Sequence, residues 1–219
     1  MSAEYSCAAC HTPFVSAHPL DTQGLCALCR RDLPGYDAAY SYGFYDGPLR
    51  RLIHLFKFER VDSLAGPLGK YLARALPLDR TFDVVVPMPL HWFRRWQRGF
   101  NQSELLAGQV ARRFGLPVSG NVLGRSRHTA PQSGLSSAAR RRNVAGLFEV
   151  ADRRLIEGRR VLLVDDVLTT GATAQAAARV LKRAGAAQVT VLTLARADRR
   201  EWIDGLRTIN IAANAEGSR

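Results

Sequence analysis

No apolar run in these 219 residues approaches the ~18–20 needed to cross a bilayer, which sets aside a helical membrane span. The N-terminal MSAEYSCAAC has neither a basic opening nor an apolar stretch, so it does not read as an export signal. G-x-x-x-x-G-K-[ST] is missing, and Gly69-Lys70 lacks both flanks of such a loop, which excludes a P-loop NTPase. G-x-G-x-x-G after a strand is missing too, so the usual dinucleotide cradle is excluded. Acidic residues are scarce, 19 against 31 Lys and Arg, leaving a net charge of +12. Cysteine is confined to four positions, none beyond residue 29. The expectation is a soluble, cytoplasmic protein with one main core and room for a small appendage.

What is present is unevenly spread. Between His91 and Arg160, 14 arginines stand against 4 acidic residues, a local excess of +10. A field of that sign attracts polyanions, either nucleic acid or a polyphosphate metabolite; solvated basic faces of an arginine-rich chain give the same composition. The cysteines form C-x2-C, fifteen intervening residues, then C-x2-C. Two-residue spacing lets both thiolates of a knuckle face one ion, and two knuckles complete a tetrahedron of sulfur. Disulfides would need an oxidising compartment, and a redox pair would need a surrounding βαβ pattern that neither knuckle has. The reading is a zinc ribbon over 1–35 with Cys7, Cys10, Cys26 and Cys29 as ligands, structural because no coordination position stays open.

The ribbon should end near RRDLPGYD, where Pro34 and Gly35 punctuate the chain. DGPLRRLIHLFKFER and SLAGPLGKYLARAL carry helical spacing; FDVVVPMPL reads as a short buried strand stopped by Pro87 and Pro89. NQSELLAGQVARRFGLP is a helix with Gly115 and Pro117 as stop signals. RSRHTAPQSGLSSAARRRN is a long Ser, Gly and Arg segment, which inside a domain implies disorder or function. GLFEV, RRVLLVDD and AQVTVLTLAR read as strands, and ATAQAAARVLKRAG as a helix capped by Gly185. Alternating strands and helices imply an α/β fold with a mostly parallel sheet over about 36–200. The last residues, 201–219, show no sustained periodicity.

VLLVDDVLTTGAT, residues 161–173, is the chemically richest stretch. In an open parallel sheet ligands bind beyond the carboxyl ends of the strands, and Asp165 and Asp166 stand where VLLV meets the loop. LTTGAT leads straight into a helix, whose N–H groups and positive end favour a phosphate. Thr169, Thr170 and Thr173 add hydroxyls, and Gly171 permits the tight turn. Carboxylates repel bare phosphate but suit sugar hydroxyls or magnesium. A ribose 5-phosphate satisfies both halves at once.

This stretch resembles the signature of type I phosphoribosyltransferases, which bind phosphoribosyl pyrophosphate (PRPP) with magnesium. More widely, VPMPLHWFRRWQRGFNQSELLA (86–107), YDGPLRRLIHLFKFE (45–59), TAPQSGLSSAARRRNVAGLF (129–148) and the four-cysteine ribbon resemble the ComF family, phosphoribosyltransferase-like proteins of bacterial DNA uptake. The resemblance runs to about Arg200 and departs at FKFER, where relatives more often place a glycine after the lysine and aromatic. It implies the type I phosphoribosyltransferase fold with an N-terminal ribbon. It gives Asp165 and Asp166 to the ribose hydroxyls, as the catalytic pair if transfer occurs, and Thr169, Thr170, Gly171, Ala172 and Thr173 to the 5-phosphate, with Val167 and Leu168 counted in the PRPP-binding stretch. Pro87, Met88, Pro89 and Leu90 are placed to meet the diphosphate, with Arg94, Arg95 and Arg98 to neutralise it and Lys57 as a further anion contact. Arg125, Arg127, Arg140, Arg141 and Arg142 fall where the family carries a mobile loop. Trp92, Phe93, Trp96 and Phe100 interleave with arginine and could stack single-stranded DNA. In the family the ribbon is thought to contact uptake proteins, such as a helicase-like ATPase. Three functions remain open: a PRPP-binding protein of DNA uptake or processing, a working phosphoribosyltransferase, and a zinc-ribbon single-stranded DNA binder with a vestigial sugar-phosphate site.

Overall fold

The computed structural model describes residues 5–14, 16–31, 35–59, 61–90, 99–125 and 147–197. At the amino end, β1 (Tyr5–Ser6) and β2 (Pro13–Phe14) pair antiparallel and are followed by the short helix α1 (Ala27–Arg31). Asp21 ties the second knuckle, its Oδ1 accepting from the N–H groups of Gln23 (3.0 Å) and Leu25 (2.7 Å).

The main sheet joins β3 (Ala38–Phe44), β8 (Gln188–Arg196), β7 (Arg160–Leu168) and β4 (Val84–Pro87), in that order and all parallel. Helices α2 (Gly47–Phe58), α3 (Ala65–Arg74) and α4 (Gln102–Phe114) cover one face, and α5 (Ala172–Arg183) covers the other. With both faces covered, strand residues of either parity are buried, which is why VVV and VLLV are unbroken apolar runs. Val84, Val86, Val161, Leu163, Val189 and Val191 pack with α5, while Val85, Leu162, Val164, Leu192 and Leu194 pack with α2–α4. At the amino end of the sheet Asp83 accepts from the Arg160 N–H (2.8 Å) and pairs with its guanidinium (2.6 Å), fixing the β4–β7 register.

GLFEV forms a strand, as its sequence predicts, but apart from the main sheet: β6 (Phe148–Val150) pairs antiparallel with β5 (Leu123–Arg125). Its three residues leave Glu149 exposed, so it lacks the two apolar faces that a central parallel strand needs. The edge strand β3, AAYSYGF, was not foreseen; its Ser, Gly and tyrosines give only a half-buried pattern. Helix ends follow sequence: Asn101 caps α4 by accepting from the Ser103 N–H at 3.1 Å, and Gly115 leaves it with φ 66°. The segments 126–146 and 201–219 lie outside the described residues.

Candidate functional site

A strand places successive side chains on opposite faces, so two adjacent carboxylates should part company. On β7 they do not. Val161 and Leu163 lie on the α5 side and Leu162 and Val164 on the other; yet Val167 shares the face of Leu162, and Leu168 that of Leu163. The alternation slips across Asp165–Asp166, and both carboxylates meet partners from the same helical layer. Asp165 Oδ1 accepts from the Ser103 hydroxyl of α4 at 3.1 Å and from the Asp166 N–H at 2.9 Å. Asp166 Oδ1 pairs with the Lys57 ammonium of α2 at 2.8 Å, the two side chains 15% and 16% exposed.

Asp165 is half-buried as a residue and lines a cleft. Burial first, and the neighbouring charge of Asp166 second, push its pKa up to about 7; the Asp166 N–H, Lys57 and Ser103 pull the other way. The pair therefore holds one firmly countered carboxylate and one poised near neutrality.

These groups open on a cavity of about 280 Å³ shared by Lys57, Ser103, Asp165, Asp166 and Thr173 with the Met88–Leu90 segment. Met88 extends β4, its N–H donating to Val164 O at 2.8 Å, while its carbonyl accepts from the Asn101 side chain at 3.1 Å. Asn101 thus fastens the end of β4 to the start of α4 and so sets Ser103 beside Asp165. On the far side, the turn Thr169–Gly171 enters α5 with Gly171 at the N-cap. Gly171 sits at φ 80°, where a Cβ is strained, and Thr170 Oγ1 accepts from the Ala172 N–H at 3.4 Å. Thr173, in the first turn of this twelve-residue helix, lines the cavity opposite the carboxylates, and the N–H groups of such a turn are chemically suited to an anion.

Of the residues singled out from sequence, Asp165, Asp166, Thr173, Met88, Pro89, Leu90 and Arg125 line this cavity, as does Lys57. Lys57 meets a carboxylate rather than an open anion seat. Pro87 closes the buried end of β4, and Val167 and Leu168 turn into the two hydrophobic clusters. Thr169 and Thr170 are exposed on the turn, Gly171 is buried, and Ala172 begins the helix. Phe100 is partly buried, its ring 5.7 Å from that of Phe56 beside the core. Trp92, Phe93, Arg94, Arg95, Trp96, Arg98, Arg127, Arg140, Arg141 and Arg142 lie outside the described residues. Sequence reading missed Asn101, Gln102 and Ser103 as site residues. Their signal was a polar triplet opening an apolar helix, but only packing reveals that all three are buried.

The second centre is the ribbon. Cys7, Cys10, Cys26 and Cys29 are all buried, with their sulfurs within 4.8 Å of one another. A tetrahedron with metal–sulfur bonds of ~2.3 Å has edges of about 3.8 Å, and Cys10 Sγ lies 3.8 Å from Cys26 Sγ. The Cys26 N–H donates to Cys7 Sγ at 3.3 Å, a contact that a metal-bound thiolate welcomes. The donor set fits a structural metal ion.

The family model of the phosphoribosyl transferase domain matches residues 101–206. Competence protein F of Haemophilus influenzae is 36% identical over 179 residues, 78% of this chain and 78% of that protein. DNA utilization protein YhgH of Salmonella typhimurium is 35% identical over 196 residues, 87% of this chain and 83% of its own. Among solved structures, the allosteric regulatory enzyme of purine biosynthesis is 28% identical and covers 61% of this chain and 26% of its own, with a TM-score of 0.44.

Proposed function

The chain belongs to the ComF family, and on that footing we propose that its cleft binds PRPP, or a related ribose 5-phosphate, in the cytoplasm and in support of DNA uptake or processing. The observation that carries this reading is the turning of two consecutive carboxylates into one cavity that also reaches the first turn of α5. Ribose hydroxyls need acceptors, and a 5-phosphate needs N–H donors one sugar away. Asp165 and Asp166 take the hydroxyls, and the turn Thr169–Thr173 takes the phosphate. The Met88–Leu90 backbone, with Arg125 and Lys57 nearby, faces the diphosphate end. Magnesium carried with the diphosphate supplies further charge neutralisation. Arg94 and Arg98, and the mobile-loop arginines Arg127, Arg140, Arg141 and Arg142, are proposed to complete that neutralisation.

For the ribbon the proposed ion is zinc, which favours four thiolates in tetrahedral array and leaves no site for chemistry. The net charge of +12 supports a polyanionic partner, and the names of the relatives make DNA the natural one.

Isothermal calorimetry with PRPP and magnesium tests the ligand. Binding is expected for the wild-type chain and is lost in the Asp165→Asn/Asp166→Asn double variant. Absence of heat from the wild type at millimolar PRPP would sink the reading. Pyrophosphate release across a panel of bases and amines separates transfer from binding alone.

A further inference from the structure

Arg196, the last residue of β8, is 5% exposed and touches three parts of the molecule at once. Its guanidinium donates to Thr12 Oγ1 (2.7 Å) and Cys10 O (2.8 Å) in the ribbon, and to Ala39 O (3.3 Å) and Ser41 Oγ (3.3 Å) on β3. Its carbonyl accepts from the Tyr45 N–H at 2.7 Å, at the entry to α2. Its backbone pairs in register with Leu168, and the next N–H, Ala197, donates to Leu168 O at 3.0 Å. Leu168 is the residue from which the Thr169–Gly171 turn departs.

The hydrogen bonds are polarised in one direction. Arg196 can only donate, so Thr12 Oγ1 accepts from it and is left with its own hydrogen to give. Cys10 Sγ lies 2.9 Å away, and a metal-bound thiolate, having no hydrogen of its own, would accept that hydrogen. A divalent ion on four thiolates leaves an anionic centre, which the buried guanidinium complements through Thr12 and the Cys10 carbonyl. His11, stacked on Tyr40 of β3 at 4.7 Å, marks the same junction.

We infer that Arg196 couples the metal-bearing ribbon to the phosphate-binding turn, so that metal occupancy in the ribbon sets the geometry of the ligand site. Arg196 is a positioning residue: it acts through Leu168 and touches no ligand. The ribbon is then a structural part of the sugar-phosphate site. The ligand arm of this inference rests on the PRPP reading above; the metal and exchange arms do not.

The test uses the full zinc-loaded chain and its Arg196→Gln and Thr12→Val variants. Zinc loss to a chromophoric chelator is expected to speed up by about tenfold or more in Arg196→Gln, the range for residues that support metal ligands. Amide hydrogen exchange across 168–174 is expected to quicken in parallel, with α4 unchanged. Arg196→Lys should not restore either, because an ammonium cannot fork to Thr12, Cys10 and Ala39 together. Thr12→Val, which keeps the arginine, moves both readouts in the same direction by less and stands in should Arg196→Gln fail to fold. Reciprocity then requires PRPP with magnesium to raise the wild type's equilibrium affinity for zinc in competition with the chelator. Unchanged exchange at 168–174 in a folded variant that loses zinc faster overturns the coupling. Wild-type chain that fails to bind PRPP, with the exchange result intact, overturns the ligand reading instead.

Discussion

Burial, and behind it the charge of Asp166, lift the Asp165 carboxyl from an ordinary value near 3.8 to about 7. A carboxyl whose pKa rises on folding holds its proton more tightly in the folded chain. Its contribution to stability is therefore complete below pH 4 and is lost as pH climbs through 7. Asp165→Asn removes the charge while keeping an oxygen that can accept from Ser103. In thermal melts the variant should gain on the order of 1–3 kcal/mol at pH 8 and nothing at pH 4, while ligand binding disappears. Equal melts of variant and wild type at pH 8 would show that the carboxylate is well solvated. The acidic pair was legible from sequence because its residues are neighbours. The unequal roles of its members were not, since Lys57 and Ser103 arrive from helices far away in the chain.

Elements here are positioned by a few close approaches. Gly69 of α3 lies against Gln109 of α4, and a methyl group at 69 would overlap the Gln109 Cβ. Intrinsic helix preference favours alanine over glycine by about 1 kcal/mol, so a stabilising effect is the outcome if the helices can part freely. Overpacking at a tight crossing costs about 1–3 kcal/mol, and α4 also rests on β4 through Asn101, which restrains it. Gly69→Ala should therefore lower the urea midpoint and weaken PRPP binding, because displacing α4 moves Ser103 off Asp165. A midpoint that rises would mean that the α3–α4 contact is soft. Helices α2 to α5 were visible as periodic stretches with caps. β3 and β5 were not, being short or half-polar segments that become strands only when a partner lies alongside.

At the scale of the molecule, the four cysteines belong to the same hydrophobic cluster as Val161, Leu163 and Val189 of the sheet, so the ribbon is packed against the larger unit and not strung beside it. Metal loss should then be felt by the whole chain. Differential scanning calorimetry after chelation is expected to show one transition displaced downward by roughly 5–10 °C, as a few kcal/mol would do in a domain of this size. Two separate transitions, the larger unmoved, would show that the ribbon folds by itself. Among the described residues no helix is long and apolar enough to cross a membrane.

Local order was enough for some of this. C-x2-C spacing brings two sulfurs together within one turn of chain, and D-D followed by T-T-G-A-T puts carboxylates and helix N–H groups within a few residues, so the cysteine knuckles and the acidic pair beside a helix start were legible from sequence alone. Other features join residues far apart: Ser103 to Asp165 across 62 positions, Arg196 to Cys10 across 186. Such meetings depend on how helices and ribbon pack on the sheet, and on the slip in β7 that turns both carboxylates one way. No local preference specifies them, because each is set by the burial of surfaces that only the folded chain brings into contact.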